Sequence, residues 1–70
     1  MATETISRTV TATGYAEAMS LAMTDWNKYW ANSHNSLVSV AIGEMSDPGW
    51  RQIRGKLRTD FWVIFEYTLR

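Results

Sequence analysis

The sequence predicts an α+β fold of order β-α-β-β, in which one amphipathic helix packs on a three-stranded antiparallel or mixed sheet. A threonine-rich segment near the N-terminus and a long apolar/polar alternation in the C-terminal half predict the strands. The helical spacing of large apolar residues between them predicts the helix. Because 70 residues are enough for only one core, we expect a single domain over 1–70.

The first strand and the helix occupy the N-terminal half. Residues 3–13 (TETISRTVTAT) are rich in β-branched side chains, which favour an extended backbone. From about 15 to 33, large apolar side chains follow steps of four, three and four, which predicts one helical face. That expected face consists of Tyr15, Met19, Ala22, Met23, Trp26 and Trp30.

Two further strands are expected over about 37–45 and 50–69, joined by a turn at 46–49 (SDPG). Apolar residues alternate through both segments. With a four-residue loop Ile42 pairs with Ile53, and the apolar residues of both strands then lie on one face. We therefore expect 50–69 to be one uninterrupted strand.

The connections predict the order of the strands in the sheet. A right-handed β-α-β crossover makes the first two strands parallel, and the third fits between them antiparallel to both, which gives the order 1-3-2. The helix covers one face of this sheet. The other face carries Trp62 and Ile64 in the expected alternation, so these side chains are either exposed or in contact with another subunit.

The composition favours self-association. The chain has no cysteine and one histidine, His34, which excludes a disulfide and argues against a structural zinc site. A domain of this size gains about 3–5 kcal/mol from its core and commonly needs a further constraint. Since 46% of the residues are hydrophobic, we expect a homo-oligomer whose interface contains Trp62, Ile64 and Leu21.

The net charge of zero gives no long-range attraction to nucleic acid or to an anionic membrane. Residues 1–8 (MATETISR) are polar, and no segment reaches the roughly 18 apolar residues of a membrane span. We expect a cytoplasmic protein without a membrane partner. One segment is locally cationic, because its four basic residues fall within eight positions that contain no acid. These residues are Arg51, Arg54, Lys56 and Arg58.

The cationic segment is the candidate ligand site. On one continuous strand the side chains of Arg54, Lys56 and Arg58 stand about 7 Å apart on the outer face, in a row that continues toward Trp62. Arginine beside an exposed aromatic ring suits a flat anionic molecule such as a flavin or a nucleotide, with Trp50 closing one end. The same row suits single-stranded nucleic acid, and an exposed strand also carries basic residues without any ligand.

No catalytic motif is present. His34 lies in a polar loop, the chain has no G-x-S-x-G segment, and its glycines form no phosphate-binding motif. We expect a protein without enzymatic activity, catalytic residues or a bound metal. An enzyme site built from His34 and a neighbouring subunit's carboxylate is the remaining alternative in this class.

The β-α-β-β order, the length and the long strand wrapping one helix resemble the dodecins, small proteins that assemble as dodecamers and bind flavin between subunits. Short segments at Arg54-Gly55 and 61–63 (FWV) are similar to dodecin segments. Dodecins carry a tryptophan just after the helix, where this chain has 37–40 (LVSV), so their flavin-binding residues are not carried over. The resemblance implies an oligomer with flavin as a candidate cofactor.

These observations predict a homo-oligomeric, non-enzymatic binding protein that holds a protein partner or a flat anionic small molecule at subunit interfaces. One alternative is a nucleic-acid-binding module that uses the basic strand face. A second is an inhibitor of the phage type that binds a host protein, because phage-encoded inhibitors of host defence include small β-α-β-β proteins.

Overall fold

A computed structural model describes residues 2–46 and 49–69. Their elements are β1 (Ala2–Ala12), α1 (Tyr15–Asp25), a π-helical turn that continues α1 (Trp26–Trp30), β2 (Asn35–Glu44), β3 (Arg51–Ile53) and β4 (Lys56–Leu69). The helix packs on one face of an antiparallel sheet. The expected α+β class is therefore confirmed.

β4 is the central strand. It pairs antiparallel with all of β1, from Ala2 opposite Leu69 to Ala12 opposite Thr59. It also pairs antiparallel with β2, so β1 and β2 run parallel to each other as expected. The order of the long strands is β1-β4-β2, but the sheet has four strands instead of three, because the short β3 also pairs with β4.

The expected uninterrupted strand over 50–69 is wrong, because a tight turn divides it into β3 and β4. Ile53 pairs with Lys56, which leaves Arg54 and Gly55 as the turn. Both turn residues have positive φ, 53° and 79°, as a type I′ hairpin turn requires. The expected pairing of Ile42 with Ile53 is wrong as well, since Ile42 lies opposite Val63.

The segment between β2 and β3 leaves the ladder of β4. β2 ends with Glu44 opposite Phe61, and β3 begins with Arg51 opposite Arg58. From Glu44 to Arg51 the chain covers seven positions, whereas their partners Phe61 and Arg58 are only three positions apart on β4. Four residues of this segment are therefore in excess of those needed to continue the pairing with β4. The surplus equals the length of the expected turn at 46–49, of which positions 47 and 48 lie outside the described residues.

The core lies between α1 and the sheet. Its buried hydrophobic residues are Val10, Ala12, Ala18, Ala22, Trp26, Phe61, Val63 and Phe65. The members of this set in β4 occupy alternate positions, as the apolar/polar alternation predicted. Residues Ile6, Leu37, Val40 and Ile42 pack against them from β1 and β2.

The buried face of the helix differs from the expected one. Ala22 and Trp26 are buried as expected, but their neighbour on that face is Ala18, while Met19 and Tyr15 are exposed. Alanine is small, so the helix backbone can approach the sheet and the large side chains of β4 fill the space between them. The periodicity of large residues therefore located the helix and part of its buried face, since Trp30 also packs against the core, but it missed Ala18 and wrongly included Met19.

The helical segment ends at Trp30 and not near 33 as expected. The Ala31 N–H donates to the Trp26 carbonyl at 2.9 Å, the five-residue spacing of a π-helical turn. Trp26 and Trp30 stack with ring centroids 6.3 Å apart, and both rings pack against Phe65. The Arg8 guanidinium lies 4.8 Å from the centre of the Trp30 ring, which ties β1 to this aromatic cluster.

Candidate functional site

The helix covers one face of the sheet, and we call the opposite face the outer face. Its residues alternate with the core-facing residues along the three long strands. They are Thr3, Thr5, Ser7, Thr9 and Thr11 in β1, Ser36, Ser39, Ala41 and Gly43 in β2, and Asp60, Trp62, Ile64, Glu66 and Thr68 in β4. The two large apolar members, Trp62 and Ile64, are 36% and 38% exposed. The centre of the outer face is thus apolar and open to solvent.

Trp62 lies across Gly43, its partner in the β2–β4 ladder. A Cβ atom added to Gly43 would overlap the indole ring. Glycine is therefore the residue type that fits at position 43 while Trp62 lies over it. Gly43 itself is buried although it belongs to the outer face. A depression of about 550 Å³ adjoins the indole and is also lined by Ser7, Arg8, Thr9 and Met45.

The basic residues do not form the expected row along one strand. Arg54 lies in the hairpin turn, outside both strands. Arg58 is directed to the helix: its Nη1 donates to Glu17 Oε1 at 2.6 Å, and its Nε donates to the Ile53 carbonyl at 3.0 Å. Lys56 is exposed at the start of β4. The predicted row is wrong because the hairpin turn and the ion pair with Glu17 divide it.

Glu17 holds Arg58 at the start of α1. Its carboxylate also accepts the Thr13 N–H at 3.3 Å and the Thr13 hydroxyl at 3.1 Å. The side chains of Arg58 and Glu17 are 19% and 32% exposed, so the pair is partly screened from water. An anion at Arg58 would have to compete with this carboxylate.

Asp60 places a negative charge between the basic residues and Trp62. It accepts hydrogen bonds from Thr11 Oγ1 at 2.7 Å and from Arg51 Nη2 at 3.1 Å. These two hydrogen bonds, led by that of Thr11, hold the pKa of Asp60 below its ordinary value of 3.8. The carboxylate therefore remains ionised at neutral pH, and Arg51 is engaged with it.

A second depression, of about 390 Å³, brings together Arg54, Arg58 and Leu21 with Thr11, Glu17 and Ile53. Leu21 belongs to α1 and Trp62 and Ile64 to the opposite side of the sheet, so the three expected interface residues do not form one patch. The expected ligand residues are divided in the same way. Trp62 lines the first depression, whereas Arg54 and Arg58 line the second.

Trp50 and His34 lie outside the strands. Trp50 is 42% exposed and belongs to the segment between β2 and β3. His34 is exposed, and its backbone N–H donates to Asn32 Oδ1 at 2.7 Å in the loop before β2. Within the described residues, neither Trp50 nor His34 lines the depression beside Trp62.

Residues 2–46 and 49–69 hold no group of three or more His, Cys, Asp or Glu side chains that could bind a metal ion. Nor does any helix in those two ranges have the length and apolar character needed to cross a membrane.

Gly43 is the outer-face residue that sequence reasoning missed. A glycine inside a strand commonly marks the close approach of another group, and its position in 35–44 was the available signal. Thr3, Thr5, Thr9 and Thr11 were recognised only as strand formers. Their alternate spacing also indicated that they share one face.

The chain matches no protein-family model, no curated protein and no solved structure. Roles for its residues are accordingly argued from the geometry of this structure.

Proposed function

We propose that this chain is a non-enzymatic binding protein that self-associates through the outer face, with Trp62 and Ile64 at the centre of the contact. The observation that carries the proposal is the exposure of these two side chains in the middle of an uncovered sheet face. Burying them against a second copy removes apolar surface from water, which contributes about 25 cal/mol per Å².

The surroundings of Trp62 favour a protein surface as its partner. Ser7, Thr9, Ala41 and Gly43 are small and uncharged, so they can be covered without burying an unpaired charge. The first depression beside the indole is also lined by the longer side chains of Arg8 and Met45. Aromatic side chains are enriched at the centre of protein interfaces, where contacts of little energetic weight surround them and exclude water.

The charges around the outer face are less favourable to an anionic ligand. Asp60 stands between Trp62 and the basic residues, and Glu17 already binds Arg58. Arg8 lines the depression beside Trp62, but its guanidinium lies 4.8 Å from the centre of the Trp30 ring, so a flavin or nucleotide held at Trp62 would compete with that ring for Arg8 or draw its cation from another subunit. The basic strand face of the nucleic-acid alternative is likewise interrupted, so self-association with a protein partner is the function that we prefer.

The first test is the native mass of the purified protein, with an absorbance scan of the same sample. We expect a mass above 8.0 kDa that Trp62→Ala lowers, with an unchanged circular dichroism spectrum. Trp50→Ala is the matched control, because Trp50 is similarly exposed, at 42%, but does not belong to the outer face. It should leave the mass unchanged.

A wild-type mass of 8.0 kDa at all accessible concentrations would refute self-association. An unchanged mass in Trp62→Ala would refute this interface. Absorbance near 260 nm, or in the visible range of a flavin, that copurifies in fixed ratio would favour the ligand-holding form of the proposal.

A further inference from the structure

β1 is an edge strand with a free side. It pairs with β4 over eleven consecutive residues without a register shift, and in the described part of the chain it pairs with no other strand. The other long edge strand, β2, carries a register shift between Leu37 and Ser39. Bulges, prolines and lysines are the features by which edge strands commonly avoid pairing, and β1 has none of the three.

β1 carries two charges of opposite sign that are placed symmetrically about one residue. Glu4 and Arg8 are each two positions from Ile6, and all three share the core-facing side of the strand. Glu4 and Arg8 are exposed, and within the described residues neither forms an ion pair, although the Arg8 guanidinium lies over the Trp30 ring. An edge with isolated charges normally resists pairing, but these two can neutralise each other across a two-fold axis.

We propose that β1 pairs antiparallel with β1 of a second copy of this chain, with Ile6 at the two-fold axis. Glu4 of each protomer then lies opposite Arg8 of the other, and Ile6 lies opposite Ile6. On the outer face, Thr5 lies opposite Ser7. Directly opposed residues in an antiparallel pair have Cβ atoms about 4.5–5.5 Å apart, which is within reach of a salt bridge.

The charges select this register among its neighbours. A two-fold axis normal to the sheet leaves the outer face of both copies on the same side of the joined sheet. Opposed residues must then belong to the same face of β1, which requires that the axis pass through a residue and not between two residues. Centring on Thr5 places Glu4 opposite Ile6, and centring on Ser7 places Arg8 opposite Ile6. Of these three registers, only the one centred on Ile6 pairs the two charges.

This inference rests on the proposed function and extends it. Three strands about 4.8 Å apart with nine residues at about 3.4 Å rise give an outer face of only roughly 400 Å². A stable interface usually needs about 800 Å² from each partner. Joining two copies at β1 makes a continuous sheet of six long strands, which doubles the area of the outer face and places two copies of Trp62 and Ile64 on it.

Charge reversal tests the pairing directly. Glu4→Arg gives a chain with two positive charges on β1, and Arg8→Glu gives one with two negative charges, so each should self-associate at least about tenfold more weakly than the wild type. An equimolar mixture of the two variants should restore assembly with the two subunits in a one-to-one ratio, because every pair of charges across β1 is then complementary. Native mass spectrometry resolves the two subunits.

Single-cysteine variants test the register, since the chain has no cysteine of its own. Under mild oxidation Ile6→Cys should form a disulfide-linked dimer, because opposed residues in an antiparallel pair are within disulfide distance. Ser7→Cys is the matched control. In the proposed register position 7 lies opposite position 5 of the other copy, and two copies of position 7 are opposed only in the register centred on Ser7. We expect Ile6→Cys to cross-link at least tenfold faster.

The outcomes separate the two proposals. If the outer face and the β1 edge are distinct interfaces, Trp62→Ala should leave a dimer of about twice 8.0 kDa, and Trp62→Ala with Glu4→Arg should leave a monomer. A wild type that is monomeric overturns both proposals. An oligomeric wild type whose mass is unchanged by Glu4→Arg and by Arg8→Glu, with equal cross-linking at positions 6 and 7, overturns the β1 pairing alone.

Discussion

Gly43→Ala should destabilise the protein only while Trp62 is present. In the wild type the added methyl group overlaps the indole ring, which must leave its place over β2. Inserting a methyl group into an occupied site costs about 1–3 kcal/mol. In a Trp62→Ala background the space is free, and replacing a strand glycine by alanine then stabilises by about 0.5–1 kcal/mol.

The coupling between the two substitutions is therefore about 1.5–4 kcal/mol, from the difference between these two effects. Urea unfolding of the wild type, both single variants and the double variant measures it, at one fixed protomer concentration because association shifts the apparent stability. Gly55→Ala is the matched control. Gly55 has φ of 79° and no atom within 4 Å of an added Cβ, so its cost comes from the backbone and should be the same in both backgrounds.

A Gly43→Ala effect that is equal with and without Trp62 would show that the indole does not lie over β2. If the effect of Gly55→Ala on the free energy of unfolding also depended on Trp62, the coupling measured for Gly43 would reflect a change in the whole sheet and not the contact between Gly43 and the indole.

Three further predictions concern the charged groups and the hairpin. The folded pKa of Asp60 lies below its unfolded value near 3.8, so its contribution to stability is complete above that pH and is lost as pH falls through the folded pKa. Asp60→Asn should therefore remove this part of the acid unfolding curve. An NMR titration of the Asp60 carboxyl group checks the direction of the pKa shift. Glu17→Ala should lower the free energy of unfolding by about 1–3 kcal/mol, because it leaves Arg58 and the Thr13 N–H without their acceptor. Glu17→Gln should lose less, and urea unfolding measures both variants. Equal losses in the two variants would contradict the role of the Glu17 charge. Arg54→Asn should stabilise the hairpin by about 0.5 kcal/mol, since asparagine tolerates positive φ better than arginine and Asn-Gly is a favoured type I′ pair; a lower thermal midpoint would contradict the turn assignment.

The core-facing side of β4 was predictable because alternation depends only on which residues are apolar. Phe61, Val63 and Phe65 are buried at alternate positions as expected. The partner of that strand was not predictable from the same pattern. Ile42 faces Val63 instead of Ile53, a displacement of ten positions, and any even displacement keeps every apolar residue on the same face. From Ser39 to Glu44 the observed register therefore also passes the test that favoured the expected one, whereas the register shift between Leu37 and Ser39 leaves Val38 unpaired in the β2–β4 ladder and 55% exposed.

The hairpin turn at Arg54 and Gly55 was missed because residue type and backbone geometry indicated different positions. The segment at 46–49 contains the strongest turn residues in the chain, whereas the observed turn has arginine at its first central position. Arginine carries no turn preference, so the glycine at 55 was the only local signal. The candidate site depended on this error, because a continuous strand would have placed Arg54 and Lys56 in line with Trp62.

The central position of β4 has a consequence for the order in which this protein can fold during synthesis. β1, α1 and β2 precede β4 in the chain, yet both long edge strands have β4 as their partner in the sheet. A nascent chain that ends before β4 holds two long strands without their partner and a helix without the sheet that it covers. Folding must wait until β4 has left the ribosome, and Ala2 then pairs with Leu69 by closing a loop of nearly the whole described chain.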